Sequence, residues 1–247
     1  MDLISVIIPY YKKIKFIDKS ISSVLDQTYQ NIEIIIIYDD DDKFELDYLI
    51  KQYKSNDKIK IVINDKNIGA GLSRNKGIKV SKGKYICFLD ADDYWKKEKL
   101  ETQINFMKNQ NFDISHTSYD VIDEELKFIR KRKAKTFSNY RDILTSCDIG
   151  LSTVILDKKI LSKKIQFMNL KTKEDFVLWL TILKENMAIG GLDQSLSFWR
   201  KTKNSLSSSV SQKLVDGFRV YYKYLEFSFM KSCYLLICLS LNYLKKN

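Results

Sequence analysis

Short, continuously apolar runs alternate with stretches of helical spacing through the first 110 residues. Leu3–Ile8 reads as a strand. Ile14–Gln27 carries apolar side chains at Ile14, Ile17, Ile21, Val24 and Leu25, the 3.6-residue spacing of a helix. Ile32–Tyr38 is a second strand and Phe44–Tyr53 a helix. Ile59–Ile63, Gly71–Val80, Tyr85–Leu89 and Trp95–Lys108 continue the strand–helix alternation. Strands that are apolar throughout, not at alternate positions, belong to a sheet covered on both faces, and helical crossovers make such a sheet parallel. The pattern therefore predicts an open, doubly wound, mainly parallel α/β sheet, with ligands beyond the carboxyl ends of its strands.

Past residue 110 the alternation loosens. The pattern predicts strands at Phe112–Thr117 and Thr153–Leu156, a strand or loop at Phe128–Lys135, and a helix at Asn139–Ser146. It then predicts a strong helix at Glu174–Glu185, a serine-rich loop at Ser205–Ser211 and C-terminal helices over Val210–Leu244.

Polar residues collect where the first four strands end. Strand one runs into Pro9-Tyr10-Tyr11, strand two into Asp39-Asp40-Asp41-Asp42, strand three into Asn64-Asp65-Lys66-Asn67 and strand four into Asp90-Ala91-Asp92-Asp93. Core packing has no use for carboxylates crowded on one edge, whereas a hard cation such as Mg²⁺ or Mn²⁺ is held by one or two carboxylates plus substrate phosphates. The bland alternative is a helix cap, with Asp92 or Asp93 capping the helix that starts near Trp95. The Asp39 run is not an EF-hand loop: its sixth position is Phe44, where glycine is required, and its twelfth is Ile50 in place of glutamate. Gly69-Ala70-Gly71 opens like a dinucleotide fingerprint, but the third glycine's place is taken by Arg74. Glu174 and Asp175 suit the N-terminus of a helix. Asp175, fixed by the apolar helix around Trp179, is also placed to act as a general base.

A net charge of +11 favours anionic partners, while no basic helix with interleaved aromatics marks a nucleic-acid module. Four cysteines without a C-x-x-C pair and a single histidine, His116, exclude a zinc site and fit a reduced, cytoplasmic setting. No apolar run approaches the ~20 residues of a bilayer-spanning helix.

In order and spacing, SVIIPYY, IIIIYDDD, NIGAGLSRNKG, FLDADD, KEDFVLWL and FWRKTKNSLS together resemble an inverting family 2 glycosyltransferase of the GT-A fold. The resemblance implies a unit at 1–208, with a Rossmann-like nucleotide-sugar-binding half (1–110) and an acceptor half (111–208), and a helical extension at 209–247. It implies that Tyr11 stacks on the base of a UDP-sugar with Pro9 shaping the turn. Asp40 bonds the base with Asp39 in support, and Arg74 faces the diphosphate. Asp90, followed by Ala91, lies at the ribose, Asp92 ligates Mn²⁺ or Mg²⁺, and Asp175 deprotonates the acceptor, with Glu174 and Trp179 on the acceptor side. The acceptor would be a growing glycan of a surface polysaccharide or a lipid-linked oligosaccharide. Where the family has D-D-G-S, this chain has four aspartates, so the turn differs or strains Asp41. Where some members carry a histidine, it has Lys203, and Lys203 or Arg200 is the candidate diphosphate contact. Ser152 and Thr153 are weaker candidates for the acceptor wall. Phe227–Leu244, apolar and followed by Lys245-Lys246, either lies on the inner membrane surface or packs on the domain or a second subunit. The rivals are a sugar nucleotidyltransferase, disfavoured because no glycine-rich loop follows strand one; a noncatalytic binding protein of the same fold; and a Rossmann oxidoreductase.

Overall fold

The computed structural model describes residues 1–202 and 209–246. One nine-stranded sheet runs through it. Its strands are β1 (Ile4–Tyr10), β2 (Ile32–Tyr38), β3 (Ile59–Ile63), β4 (Tyr85–Phe88), β5 (Tyr94–Trp95), β6 (Ile114–Ile122), β7 (Phe128–Arg132), β8 (Ile155–Asp157) and β9 (Gly190–Arg200). The order is β3-β2-β1-β4-β8-β6-β9-β5, with β7 beside β6. β3, β2, β1, β4, β6 and β9 run one way; β8, β7 and β5 are reversed.

The helices are α1 (Ile17–Leu25), α2 (Lys43–Tyr53), α3 (Ala70–Val80), α4 (Lys99–Gln110), α5 (Glu174–Lys184), α6 (Val210–Arg219) and α7 (Phe229–Lys246), with one π-helical turn at Val220–Tyr224. The sheet is buried on both sides, which is why β2 reads IEIIIIY. Ile34 and Ile36 face the layer of α1, α2 and α4. Ile35 and Ile37 face the layer containing α5. A period of two inside an all-apolar run is invisible in sequence, because neither face needs a polar residue.

Three expectations are corrected. Trp95 does not open a helix. Tyr94 and Trp95 pair with Phe198 and Ser197 of β9, and α4 starts at Lys99 behind Glu98. Neither Asp92 nor Asp93 therefore caps it. Asn139–Ser146 holds only a short 3₁₀ turn, Tyr140–Asp142, closed by an Asn139/Asp142 capping box. Residues 190–200 form an eleven-residue strand where the hydrophobic pattern predicts no element; its register shifts against β6 disrupt the alternation that would mark it. Of the serine-rich loop, residues 205–208 lie outside the described residues, and Ser209 caps α6 through Gln212 N. Among the described residues, no helix is long and apolar enough to cross a membrane.

Candidate active site

The carboxyl ends of β1, β2, β3 and β4 lie on one edge, and each acidic turn there has its own partners. Asp39 is buried, and its carboxylate accepts three hydrogen bonds, from Asn64 Nδ2, Ile68 N and Gly69 N, each at 2.8 Å. Gly69 has φ of 86°, a conformation that suits glycine and aims its amide at Asp39. Asp39 thus ties the β2 end to the start of α3. Asp40 is fixed by Lys12 N at 3.0 Å and Asp41 N at 2.9 Å. The strain expected at Asp41 is absent: positive φ falls on Lys12, and Asp42 caps α2 by accepting from Phe44 N and Glu45 N. Tyr11 remains 37% exposed at this rim. Pro9 does not shape the turn; it lies inside β1 opposite Ile37, beyond the last residue of β1 that pairs with β4, where no amide hydrogen is needed on that side.

Arg74, on the second turn of α3, is fully buried. Nη2 donates to Asp90 Oδ1 at 2.6 Å and Nη1 to Glu174 Oε1 at 2.7 Å, while the guanidinium lies over Phe167. Burial opposes its charge, but the two carboxylates outweigh it and raise its pKa. Both terminal nitrogens are thus committed to protein carboxylates, which corrects the expectation of a guanidinium open to a diphosphate. Gly71 makes this approach possible: a Cβ there would stand 3.0 Å from Glu174 Cγ and from Met168 O. Burial pushes the Glu174 carboxyl up to about 7, against the pull of Arg74.

The three acids of the Asp90–Asp93 turn diverge. Asp90 goes to Arg74. Asp92 Oδ2 pairs with Lys13 Nζ at 2.6 Å, and Thr202 Oγ1 lies 3.3 Å from the same ammonium. Asp93 is buried and accepts from Ser152 Oγ at 2.5 Å and Arg200 N at 2.9 Å. Ser152 Oγ also accepts from Asp90 N, and Arg200 Nε donates to Asp92 O, so both ends of the turn are braced from β9 and the short helical turn Leu151–Thr153. Ala91 is buried, its carbonyl accepting from Ser20 Oγ of α1. Burial raises the pKa of Asp92, with Lys13 pulling it back, and raises that of Asp93 further, with Asp92 and Asp90 adding repulsion.

Asp175 opens α5 with its carboxylate accepting from Phe176 N at 2.7 Å, and it lines a cavity of about 260 Å³. Burial raises its pKa, Lys173 and Arg74 lower it, and Asp90 raises it again, so it shares one electrostatic field with the strand-four turn. Glu174 turns the other way, to Arg74. Trp179 is corrected to a core residue: it has no exposed surface, because α5 is covered nearly all round. Lys203 lies outside the described residues. The roles of Lys13, Arg200 and Ser152 as braces were missed; the only sequence signal was Lys12-Lys13 at the end of β1, beside the acids.

The donor set suits a hard divalent cation with few protein ligands. Among the described residues no three acidic, histidine or cysteine side chains converge on a metal-sized point. Asp92 and Asp90 are left as oxygen donors, and Asp92 already holds a cation, the Lys13 ammonium. Oxygen ligands from one or two carboxylates, completed by substrate phosphates, are the habit of Mg²⁺ and Mn²⁺.

The family model for Glycosyl transferase family 2 matches residues 5–166. A Bacillus subtilis glycosyltransferase named for teichuronic acid biosynthesis, TuaG, is 33% identical over 99% of this chain and 97% of its own. An Escherichia coli protein named UDP-Glc:alpha-D-GlcNAc-diphosphoundecaprenol beta-1,3-glucosyltransferase, WfgD, is 34% identical over 95% of this chain and 91% of its own. Among solved structures, residues 1–349 of S. aureus TarS, in complex with UDP-GlcNAc, superpose with a TM-score of 0.69 at 20% identity, covering 97% of this chain and 71% of that one. At that identity the likeness speaks for the fold.

Proposed function

The chain belongs to glycosyl transferase family 2 and is a glycosyltransferase of the GT-A fold, and from that premise we propose that it moves one sugar from a UDP-sugar to a hydroxyl of a growing glycan, with inversion at the anomeric carbon. The observation that carries this reading is Asp175, a carboxylate of raised pKa that lines a cavity and shares the field of the strand-four acids. The relatives' names support a nucleotide-sugar donor and an acceptor destined for surface polysaccharide.

In this reading Tyr11 stacks on the uracil from its exposed rim position. Asp40 receives the base N–H with lone pairs left over from its two amide bonds. Asp39 holds the loop that Asp40 belongs to. Asp90, fixed by Arg74, meets the ribose. Arg74 acts as a positioning residue, and Lys203 is retained as the candidate contact to the diphosphate. Asp92 would hold Mn²⁺ or Mg²⁺ in place of the Lys13 ammonium; such an ion would supply positive charge against the negative charge that builds as UDP departs. Asp175 takes the proton of the acceptor hydroxyl, the acceptor oxygen bonds the anomeric carbon, and the bond from that carbon to the diphosphate breaks. Burial, by raising its pKa, makes Asp175 a stronger base than an exposed carboxylate. The reaction belongs on the cytoplasmic side of the membrane, where nucleotide-sugars are supplied.

The test is calorimetric titration with UDP and UDP-hexoses, with and without Mn²⁺, on the native chain and Asp92→Asn. Mn²⁺-dependent UDP binding that weakens at least tenfold in the variant is expected. Binding indifferent to both the metal and Asp92 removes the metal from the mechanism, and silence to every uridine nucleotide overturns the donor assignment.

A further inference from the structure

A surface helix ordinarily turns its apolar side inward. α6 does the reverse. Its inward side holds Asp216 and Gly217, both buried. The Asp216 carboxylate accepts from Thr172 N and Oγ1, each at 3.0 Å, and from Gln212 Nε2 at 2.9 Å, which anchors the helix by its polar side. Val210, Leu214 and Val215 of the same helix are all exposed. α7 is apolar on two sides. Leu235 and Leu239 are buried in the core cluster that includes α5. Met230, Tyr234, Ile237, Leu241 and Leu244, alternately four and three residues apart, are each more than half exposed. That spacing draws one continuous stripe along the helix. The stretch Phe227–Leu244 thus packs on the domain with one face and leaves the other bare.

Direct contacts join the two bare faces into one surface. A Cβ on Gly217 would stand 2.8 Å from Leu236 Cδ1, so α6 and α7 touch there. The Phe218 ring stacks on Tyr222 at 5.3 Å and meets Phe229 edge-on at 5.6 Å. Leu214, Val215, Phe218, Tyr222 and Leu236 line an open groove of about 670 Å³ between the helices. Round α7, Cys233 stands between Leu236 and Ile237, so groove and stripe adjoin. The fringe of this surface is cationic. Between Ser209 and Lys246 the acids are Asp216, which is buried, and Glu226. Arg219 is already matched by Asp216 at 3.3 Å. Lys223, at the groove, and Lys231 and Lys245, beside the stripe, are exposed, and among the described residues none has a carboxylate in ion-pair reach. Lys223 Nζ lies over the Tyr224 ring at 5.8 Å and Lys231 Nζ over the Phe227 ring at 3.8 Å, contacts that leave the charge in place.

We propose that the bare faces of α6 and α7 are together a docking surface for an anionic lipid bilayer. The helices lie flat on it, their apolar side chains entering the boundary between headgroups and acyl chains and their lysines reaching the lipid phosphates. Charge selects this occupant. Lys223, Lys231 and Lys245 stand round an apolar surface with Glu226 as the one exposed acid on these helices, and an anionic surface matches that fringe. A second copy seated by two-fold symmetry would bring the same lysines to face these. Ring chemistry agrees: Tyr222 and Tyr234, each more than half exposed, carry an apolar body and a polar tip, the pairing favoured at a membrane–water boundary. Long lysine stems let the ammonium groups stay in water while their methylenes cover the stripe's edge. Docking of this kind needs neither the donor nor Asp175 as base.

The test is cosedimentation of the full chain with phosphatidylcholine vesicles, with and without phosphatidylglycerol, beside sedimentation velocity in the absence of lipid. Each lysine near an anionic surface contributes about fivefold, so the three should make binding to the anionic vesicles about a hundredfold tighter than to the neutral ones. Added salt should shrink that difference. Lys223→Gln, Lys231→Gln and Lys245→Gln together should erase the preference for anionic lipid. Tyr234→Ser, Ile237→Ser and Leu241→Ser together should weaken binding to both kinds of vesicle by roughly tenfold or more. Both sets change exposed positions, so thermal melts and UDP affinity should stay as in the native chain. Equal binding of the native chain to the two vesicles, or binding to neither, overturns the proposal. So does a lipid-free dimer that the serine variant dissolves while its vesicle binding persists, because a second copy would then cover the face. Absence of UDP binding in the native chain would defeat the donor reading and leave the lipid result standing.

Discussion

Arg74→Met removes one buried cation from between two carboxylates. Methionine keeps the stem's packing near Phe167, so the lesion is electrostatic. Removing one partner of a buried ion pair costs about 3–5 kcal/mol when the other is left charged. Asp90, one-third exposed at its side chain, is relieved by water, whereas Glu174 at 12% is not, so the lower end, about 3 kcal/mol, applies at alkaline pH. The cost must depend on pH. In the native chain the Glu174 pKa is raised to about 7 from 4.5, so Glu174 lowers stability as pH climbs from 4.5 to 7 and no further beyond. Without Arg74 its folded pKa lies higher still, and the loss continues past 7 at about 1.4 kcal/mol per unit. The gap between native and variant stability should therefore widen by about 2 kcal/mol from pH 5.5 to pH 8.5. Urea unfolding followed by tryptophan fluorescence at both pH values measures it. Acids with the same shift in both chains cancel in the difference. A destabilisation below 1 kcal/mol, or one equal at the two pH values, would show that Arg74 does not hold these carboxylates charged in the fold.

Asp39→Asn should cost about 2 kcal/mol in the same assay, because an amide oxygen cannot replace a carboxylate that accepts from Asn64, Ile68 and Gly69, and its NH₂ faces amide donors. Lys99→Met should stabilise the chain by about 1–2 kcal/mol at pH 7. Burial depresses this lysine to about 8, Nζ has no hydrogen-bond partner among the described residues, and the lost contact with the Trp95 ring offsets only part of the gain. The depressed pKa puts the full penalty below pH 8, so the gain should shrink toward pH 10 in thermal melts. Asp175→Asn should lower the transfer rate about 10²–10⁴-fold with UDP-sugar affinity unchanged. Equal losses in rate and donor binding would remove it as the base.

The first 110 residues were legible because their chemistry and their packing occupy different positions. β2 and β3 fall on the residues the pattern predicts, since an all-apolar run bounded by Asp or Asn leaves few alternatives. The acids at the strand ends stood out for the same reason. Past residue 110 the pattern predicts α5 and strands near β6 and β8, but not β9. β9 breaks register with β6 twice, and its alternation fails where the breaks fall. The site was read as positions, not as pairings. Nothing in the spacing says that Arg74 bridges Asp90 and Glu174, 100 residues distant, or that Trp179, on the same helix as Asp175, points wholly inward.

Those pairings explain how three carboxylates can stand within four residues at the end of β4. Each is drawn to a different part of the chain: Asp90 to α3, Asp92 to the loop after β1, Asp93 to Ser152 and the end of β9. Diverging partners weaken the mutual repulsion and give each acid a separate fate. Asp93 is buried as a structural peg. Asp90 shares the Arg74 guanidinium with Glu174 and is one-third exposed. Asp92 alone is held by a long, single-point lysine that can swing away without leaving a rigid fork behind. The turn is thus braced so that only one of its acids can change partner, and that is the acid a cation-borne diphosphate would need.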